Sequence, residues 1–129
     1  MGVTMLLRKN VMIVDPSPIF RRSLKAVIET NETLVNVSEA ENADQARDIL
    51  GSQPPDVVFL DMLLPLETGL GLIASVKAVA ADIRLVVLTG LDAPQVKAAA
   101  LEQGADYFLS KEHATGLRLI DVIHETIRR

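Results

Sequence analysis

The 129-residue chain contains no cysteine and no tryptophan, and only four of its residues are aromatic. Without cysteine it can form neither a disulfide framework nor a thiolate metal site. With so few aromatic side chains, its core must be built from Val, Ile, Leu and Ala. These absences leave an aliphatic globular domain whose chemistry depends on oxygen and nitrogen groups.

Signals for membranes, export and nucleic acid are also missing. The longest apolar stretch, residues 57–66, is interrupted by Asp61 and Pro65 and is much shorter than a membrane span. The first ten residues hold too few apolar side chains for a signal peptide. The net charge of -4 weighs against direct binding of nucleic acid, which requires a basic patch. We therefore expect a soluble, cytoplasmic protein with no membrane partner.

Two common catalytic motifs are absent as well. No glycine-rich loop followed by Lys and Ser or Thr is present, which excludes a P-loop nucleotide hydrolase. No Gly-x-Ser-x-Gly elbow is present either. The composition, with 49% apolar and 23% charged residues, is that of an ordinary globular protein. The length predicts a single domain over residues 1–129.

Short apolar runs alternate with amphipathic segments along the chain, which predicts a parallel sheet covered by helices on both faces. Three of the runs are continuous, as in strands buried on both faces, whereas residues 34–39 alternate and suit an edge strand. Prolines suit the first turns of two helices, and Gly104 suits the end of one. The predicted strands are 10–15, 34–39, 56–61, 84–89 and 106–110, and the predicted helices are 18–30, 43–52, 69–80, 93–103 and 114–128.

Four of the apolar runs end at a polar side chain, namely Asp15, Asp61, Thr89 and Lys111. If these runs are neighbouring parallel strands, two carboxylates, a hydroxyl and an ammonium meet at the carboxyl edge of the sheet. Open α/β sheets bind ligands at that edge. A single aspartate at a strand end is usually turn chemistry. Four such groups at one edge instead predict a phosphoryl-transfer site.

On these residues the chain resembles the receiver domains of two-component response regulators, over about residues 8–129. The stretch 14–21 resembles the branch of that family that carries helix-turn-helix output domains. The resemblance implies a flavodoxin-like, doubly wound sheet of five parallel strands in the order 2-1-3-4-5. The landmarks that occur in order and at family spacing are Asp15, Asp61 with Pro65 and Gly69, Thr89 with Gly90, and Lys111 after Gly104-Ala105-Asp106.

The resemblance also implies how a phosphoryl group would be received. Asp61 would be the phosphoacceptor, attacking the phosphohistidine of a sensor histidine kinase or phosphotransfer protein. Thr89 and Lys111 would each bind a phosphoryl oxygen. Thr89 and Phe108 would form the switch that changes the partner-binding face. Such a protein would not be an enzyme beyond catalysing its own phosphorylation and dephosphorylation.

A magnesium ion is the cofactor that the resemblance implies. Its protein ligands would be Asp61, the backbone carbonyl of Leu63 and, through a water, Asp15. The family has a second acid directly after the first, and this chain has Pro16 there. Because hard-cation affinity follows the number of charged oxygens, Pro16 is expected to weaken Mg²⁺ binding.

Two alternatives stay open on the sequence. The first is a pseudo-receiver, a phosphorylation-independent interaction or dimerisation module whose metal site was lost with Pro16. The second is a flavodoxin-like flavin binder, which fits less well because the first loop lacks the Ser, Thr and Gly that a flavin phosphate needs. Under the leading interpretation we expect a histidine kinase, a possible homodimer, and an output partner or an effector domain after Arg129 as partners. Those partner expectations rest on the family resemblance alone.

Overall fold

The computed structural model describes residues 8–112 and 116–128. Its five strands form one sheet in which every pairing is parallel, in the order β2-β1-β3-β4-β5. This confirms the predicted topology, including the edge position of the alternating second strand. The strands are β1 (Lys9–Val14), β2 (Val35–Ala40), β3 (Val57–Leu60), β4 (Arg84–Thr89) and β5 (Tyr107–Ser110).

A helix follows each strand, and the helix bounds lie within two residues of those predicted. The first two residues of the predicted last helix, 114–115, lie outside the described residues. None of the helices within 8–112 and 116–128 is both long enough and apolar enough to cross a membrane. The helices are α1 (Pro18–Asn31), α2 (Ala43–Ser52), α3 (Gly69–Val79), α4 (Pro94–Gln103) and α5 (Gly116–Ile127).

Successive side chains of a strand point to opposite faces of the sheet, so each buried run supplies two cores. Met12 and Leu60 face the cluster formed with α2, α3 and α4. Ile13 and Phe59 face the cluster formed with α1 and α5. Because both faces are covered, β1, β3 and β4 need apolar residues at nearly every position, as their continuous runs predicted.

The predicted strands 10–15 and 56–61 run one residue too far, because Asp15 and Asp61 follow the strands and do not belong to them. Each carboxylate accepts a hydrogen bond from the backbone N–H two residues on, Asp15 from Ser17 at 2.8 Å and Asp61 from Leu63 at 3.1 Å. This side-chain bond turns the backbone out of the extended conformation. The aspartates therefore end their strands and begin the loops that carry the site.

The proline at the start of α1 and the glycine at the end of α4 lie where the sequence predicted them. The Ser17 hydroxyl accepts from the Phe20 N–H at 3.2 Å, and Pro18 occupies the first turn of α1. Gly104 ends α4 with φ at 118°, a left-handed conformation that favours glycine. These caps fix where α1 begins beside Asp15 and where β5 starts on its way to Lys111.

Candidate functional site

The ammonium of Lys111 brings together the ends of three strands. Its Nζ lies 2.7 Å from Asp15 Oδ2, after β1, and 3.0 Å from Asp61 Oδ2, after β3. Lys111 itself follows β5, so one side chain crosses the carboxyl edge of the sheet from its border to its centre. The convergence expected from the strand ends is therefore present in the structure.

The carboxylate of Asp61 accepts hydrogen bonds from three directions. Its Oδ1 accepts from the Thr89 hydroxyl at 2.5 Å and from the Leu63 N–H at 3.1 Å. Its Oδ2 accepts from Lys111. Asp61 is 5% exposed, and Thr89 is fully buried. These contacts hold a nearly buried carboxylate in one orientation, with two side chains beside it that can also bind a phosphate oxygen.

Two carboxylates share one ammonium at this site, and Asp15 is only 2% exposed. Burial by itself would lower the pKa of Lys111, but the hydrogen bonds to Asp15 and Asp61, with their charges, raise that pKa above its ordinary value. Lys111 therefore remains an ammonium at neutral pH. One ammonium between two carboxylates leaves a formal negative charge that a further cation can balance.

Two contacts hold the loop after β1: the hydrogen bond from the Ser17 N–H to the Asp15 carboxylate, and the contacts of Arg21 of α1. Arg21 donates to the Asp15 carbonyl through one guanidinium nitrogen and to Glu39 Oε1 of β2, at 3.2 Å, through another. Pro16 is exposed and contributes no oxygen or nitrogen from its side chain. Asp15 is thus positioned through both its carboxylate and its carbonyl, whereas Pro16 after it offers no side-chain ligand.

The site offers few protein oxygens that could bind a magnesium ion. Within residues 8–112 and 116–128 no three His, Cys, Asp or Glu side chains are grouped as metal ligands. Asp15 and Asp61 supply two carboxylates, and the Leu63 backbone lies beside Asp61, to which its N–H is bonded. Mg²⁺ is usually held by one or two carboxylates together with phosphate oxygens and waters. The residues present therefore suit a weak site that a phosphate would complete.

The two residues of the predicted switch differ in their surroundings. Thr89 ends β4, and its Oγ1 both donates to Asp61 and accepts from the Leu91 N–H at 3.2 Å. Phe108 lies on β5 opposite Val87 and packs, half-buried, against the cluster under α2, α3 and α4. Thr89 is therefore placed to sense Asp61 directly. A switching role for Phe108 stays a prediction.

Sequence reasoning missed two contacts of the site. The Phe20 ring of α1 lies under the Lys111 ammonium, with 4.0 Å from Nζ to the ring centroid, so a cation–π contact helps to hold the ammonium. The guanidinium of Arg21, also on α1, donates to the Asp15 carbonyl. No spacing rule predicts the Phe20 contact, because α1 meets the residue after β5 only in the folded sheet.

The chain is similar in sequence to known response regulators. The family model described as "Response regulator receiver domain" matches residues 11–124. The response regulator MprA of Mycolicibacterium vanbaalenii is 31% identical over 105 residues, which cover 81% of this chain and 45% of that protein. The transcriptional regulatory protein YdfI of Bacillus subtilis is 31% identical over 103 residues, covering 80% of this chain and 48% of that protein. The chain thus spans about half the length of the curated relatives it matches.

Solved structures resemble the whole described fold. The signal receiver domain of NarL from Mycobacterium tuberculosis has a TM-score of 0.83 at 26% identity, covering 95% of this chain and 98% of that one. A response regulator from Burkholderia pseudomallei has a TM-score of 0.79 at 28% identity, covering 92% and 66%. The Burkholderia structure contains a phosphorylated aspartic acid, a calcium ion and citrate. These likenesses confirm the fold that the sequence predicted.

Proposed function

The chain belongs to the response regulator receiver domain family, and we propose that it accepts a phosphoryl group on Asp61. The observation that carries this proposal is the set of donors around one nearly buried carboxylate, Thr89 on one oxygen and Lys111 on the other. The Burkholderia relative, which contains a phosphorylated aspartic acid, supports the same chemistry. Receiver domains are signalling modules, and we assign no other reaction to this one.

In the proposed reaction an oxygen of Asp61 attacks the phosphorus of the donor. A bond from that oxygen to phosphorus forms as the bond from phosphorus to the donor breaks, and the donor leaves with the electron pair. Lys111 and the Thr89 hydroxyl, which now bond the free carboxylate, would transfer their hydrogen bonds to phosphoryl oxygens. Both donors are therefore in place before the phosphoryl group arrives.

A magnesium ion would be held by Asp61, by the Leu63 carbonyl and, through a water, by Asp15. When bound, the ion offsets the negative charge that a phosphoryl group brings to a carboxylate pair. Since Pro16 supplies no ligand, this support is expected to be weaker than a site with one more acid would give. The chain's own ammonium then carries more of the charge compensation.

Phosphorylation would act on partners through Thr89. If its hydroxyl leaves Asp61 for a phosphoryl oxygen, the loop after β4 must follow, because Leu91 is bonded to the same hydroxyl. Half-buried Phe108 of neighbouring β5 would repack, and the face formed by α4, β5 and α5 would change.

We propose a histidine kinase or phosphotransfer protein as donor. A transcriptional output partner is proposed from relatives such as YdfI.

Pro16 favours a second candidate function, a pseudo-receiver that binds partners without being phosphorylated. The absence of a three-acid cluster among the described residues supports it. In that case the Lys111 contacts to Asp15 and Asp61 would serve only to stabilise the carboxyl edge. Family membership leaves no support for the flavin-binding alternative.

Acetyl phosphate labelling separates the two candidates. The wild-type chain is incubated with acetyl phosphate and Mg²⁺, and its intact mass is followed over time. We expect a gain of one phosphoryl group in wild type, none in Asp61→Ala, and an unchanged gain in Asp48→Ala, which removes an exposed carboxylate of α2. No gain in wild type at saturating Mg²⁺ would establish the pseudo-receiver instead.

A further inference from the structure

The loop between β3 and α3 is closed on itself at its base. Leu63 and Thr68 form an isolated antiparallel bridge, and the Gly69 N–H donates to the Met62 carbonyl at 3.0 Å. A Cβ at position 69 would lie 2.9 Å from the Met62 Cα, so only glycine lets the two limbs approach this closely. The outgoing limb, which carries Leu63 beside Asp61, is therefore paired with the returning limb.

Leu66, at the tip of this loop, is not held by packing, whereas Leu64 packs against the cluster under α2, α3 and α4. Leu66 is fully exposed and has a φ of 70°, a conformation that costs a non-glycine residue about 1 kcal/mol or more. Leu63 is also more than half exposed. An exposed Leu66 in an unfavourable conformation cannot position the limbs by itself, so contacts elsewhere on the loop, Leu64 among them, must constrain it.

One such contact is the pair of Arg47 on α2 and Glu67 on the returning limb. The guanidinium donates two bonds to the carboxylate, Nη1 to Oε1 at 2.6 Å and Nη2 to Oε2 at 3.0 Å. Its Nε donates to the Ser75 hydroxyl of α3 at 3.3 Å. Arg47 therefore joins α2, the loop and α3, and its paired bonds fix direction as well as distance.

We propose that Arg47 and Glu67 are positioning residues for the phosphoacceptor, acting through the loop. Glu67 directly precedes Thr68, and Thr68 pairs with Leu63, whose N–H holds Asp61 Oδ1. Fixing the returning limb thus keeps the Leu63 backbone against the carboxylate. The inference rests on the proposed function for its effect on phosphorylation, but the placement of Leu63 can be measured without it.

The pair is suited to positioning more than to overall stability. Both side chains are about one-third exposed, where ion pairs add little to the free energy of unfolding. The hydrogen bond from Arg47 lowers the pKa of Glu67, although its small desolvation acts the other way, and the hydrogen bond from Glu67 raises the pKa of Arg47. The carboxylate therefore stays charged below the ordinary glutamate pKa, and the pair is lost only as pH falls through the lowered value.

The test uses Glu67→Gln and Arg47→Ala in the whole chain, with Arg128→Ala as matched control. Arg128 is itself exposed, pairs with Glu32 at 2.8 Å, and touches neither the loop nor the site. A double variant, Arg47→Glu with Glu67→Arg, restores the pair with its charges exchanged. The readouts are amide hydrogen exchange of Leu63 by NMR, the initial rate of acetyl phosphate labelling, and the midpoint of thermal unfolding.

We expect Leu63 exchange to be about tenfold faster and labelling about tenfold slower in both single variants, because the limb is released. The thermal midpoint and the Arg128→Ala control should stay at wild-type values, and the exchanged pair should recover most of the loss. If the amide of Leu63 exchanges at the wild-type rate in both variants, the proposal is overturned. If the wild-type chain is not labelled at all, the proposed function fails, and Leu63 exchange alone decides on the positioning.

Discussion

The two edges of the sheet both carry aspartates, and the two sets of carboxylates serve different purposes. At the carboxyl edge, Asp15 and Asp61 are almost fully buried and share the ammonium of Lys111. At the opposite, amino edge, Asp56 and Asp106 are exposed and accept backbone N–H groups, Asp56 from Asn10 and Asp106 from Leu85, each at 2.8 Å. The amino-edge carboxylates secure strand starts, whereas the carboxyl-edge carboxylates both bond to one side chain, Lys111.

Cavity size does not reveal which edge has the chemistry. A cavity of about 300 Å³ lies at the amino edge, lined by groups that include Lys9, Asp56, Arg84 and Thr126, and none of the four site residues lines it. The site depends instead on convergence. At the carboxyl edge Asp15, Asp61 and Thr89 end neighbouring strands, and each accepts a bond from the N–H two residues on. The same short turns end the strands and aim the side chains at each other.

The largest difference between the edges should follow from removing the shared ammonium. In Lys111→Met two nearly buried carboxylates lose their common cation, which should lower the free energy of unfolding by about 2–3 kcal/mol, less than for a fully buried pair because Lys111 is partly exposed. Labelling by acetyl phosphate should slow about 100-fold, as for a lost oxyanion donor. Urea unfolding and intact-mass kinetics measure the two effects. Wild-type labelling in this variant would show that Lys111 does not contact the phosphoryl group.

Adding an acid next to Asp15 should increase the difference in metal binding between the two edges. Pro16→Asp adds a third carboxylate at the carboxyl edge, so the Mg²⁺ affinity should rise about tenfold. Without metal the added like charge should lower the thermal midpoint, and Mg²⁺ should raise it by more than in wild type. Thermal unfolding across a Mg²⁺ titration measures both. Identical titrations of the two chains would mean that the position after Asp15 does not contribute to metal binding here.

Alkaline pH offers a reversible way to weaken the same contacts. Because the pKa of Lys111 is raised on folding, its contribution to stability is complete below the ordinary lysine pKa of about 10.4 and is lost as pH rises through the folded value. The difference in unfolding free energy between wild type and Lys111→Met should therefore shrink above that range. A difference that stays constant up to about pH 11.5 would contradict the sign of this linkage.

The smallest effect is expected at the amino edge. Asp56→Asn keeps a side-chain oxygen for the Asn10 N–H and removes an exposed charge, so stability should fall by about 0.5–1 kcal/mol. Labelling should proceed at the wild-type rate. Slower labelling in Asp56→Asn would mean that the two edges are coupled through β1 and β3, which would contradict the separate roles assigned to them.

Local pattern was sufficient to predict a parallel sheet with helices on both faces and the four residues that meet at its carboxyl edge, whereas the strand order came from the family resemblance. Doubly buried strands must be continuously apolar, so β1, β3 and β4 could be read directly, and Asp15, Asp61, Thr89 and Lys111 followed from where those runs stop. The prediction overran β1 and β3 by one residue because an apolar run does not indicate that its final carboxylate bonds the N–H two positions ahead. Turn geometry there outweighs strand periodicity.

Contacts between side chains of different helices and loops could not be predicted. Arg47 and Glu67 come together only because α2 and the loop before α3 are packed on the same face of the sheet, and each residue alone has the pattern of a solvated charge. The Phe20 ring under Lys111 has the same origin, since α1 and the end of β5 lie far apart in the sequence.

Beryllofluoride, a stable mimic of a phosphoryl group, tests the central claim most directly. A crystal structure of the wild-type chain with beryllofluoride and saturating Mg²⁺ should show the mimic bonded to a carboxylate oxygen of Asp61. Its fluorines should lie within hydrogen-bonding distance of Lys111 Nζ and Thr89 Oγ1, both of which now contact the carboxylate. An unmodified Asp61, with Lys111 and Thr89 bonded as they are without the mimic, would contradict the account.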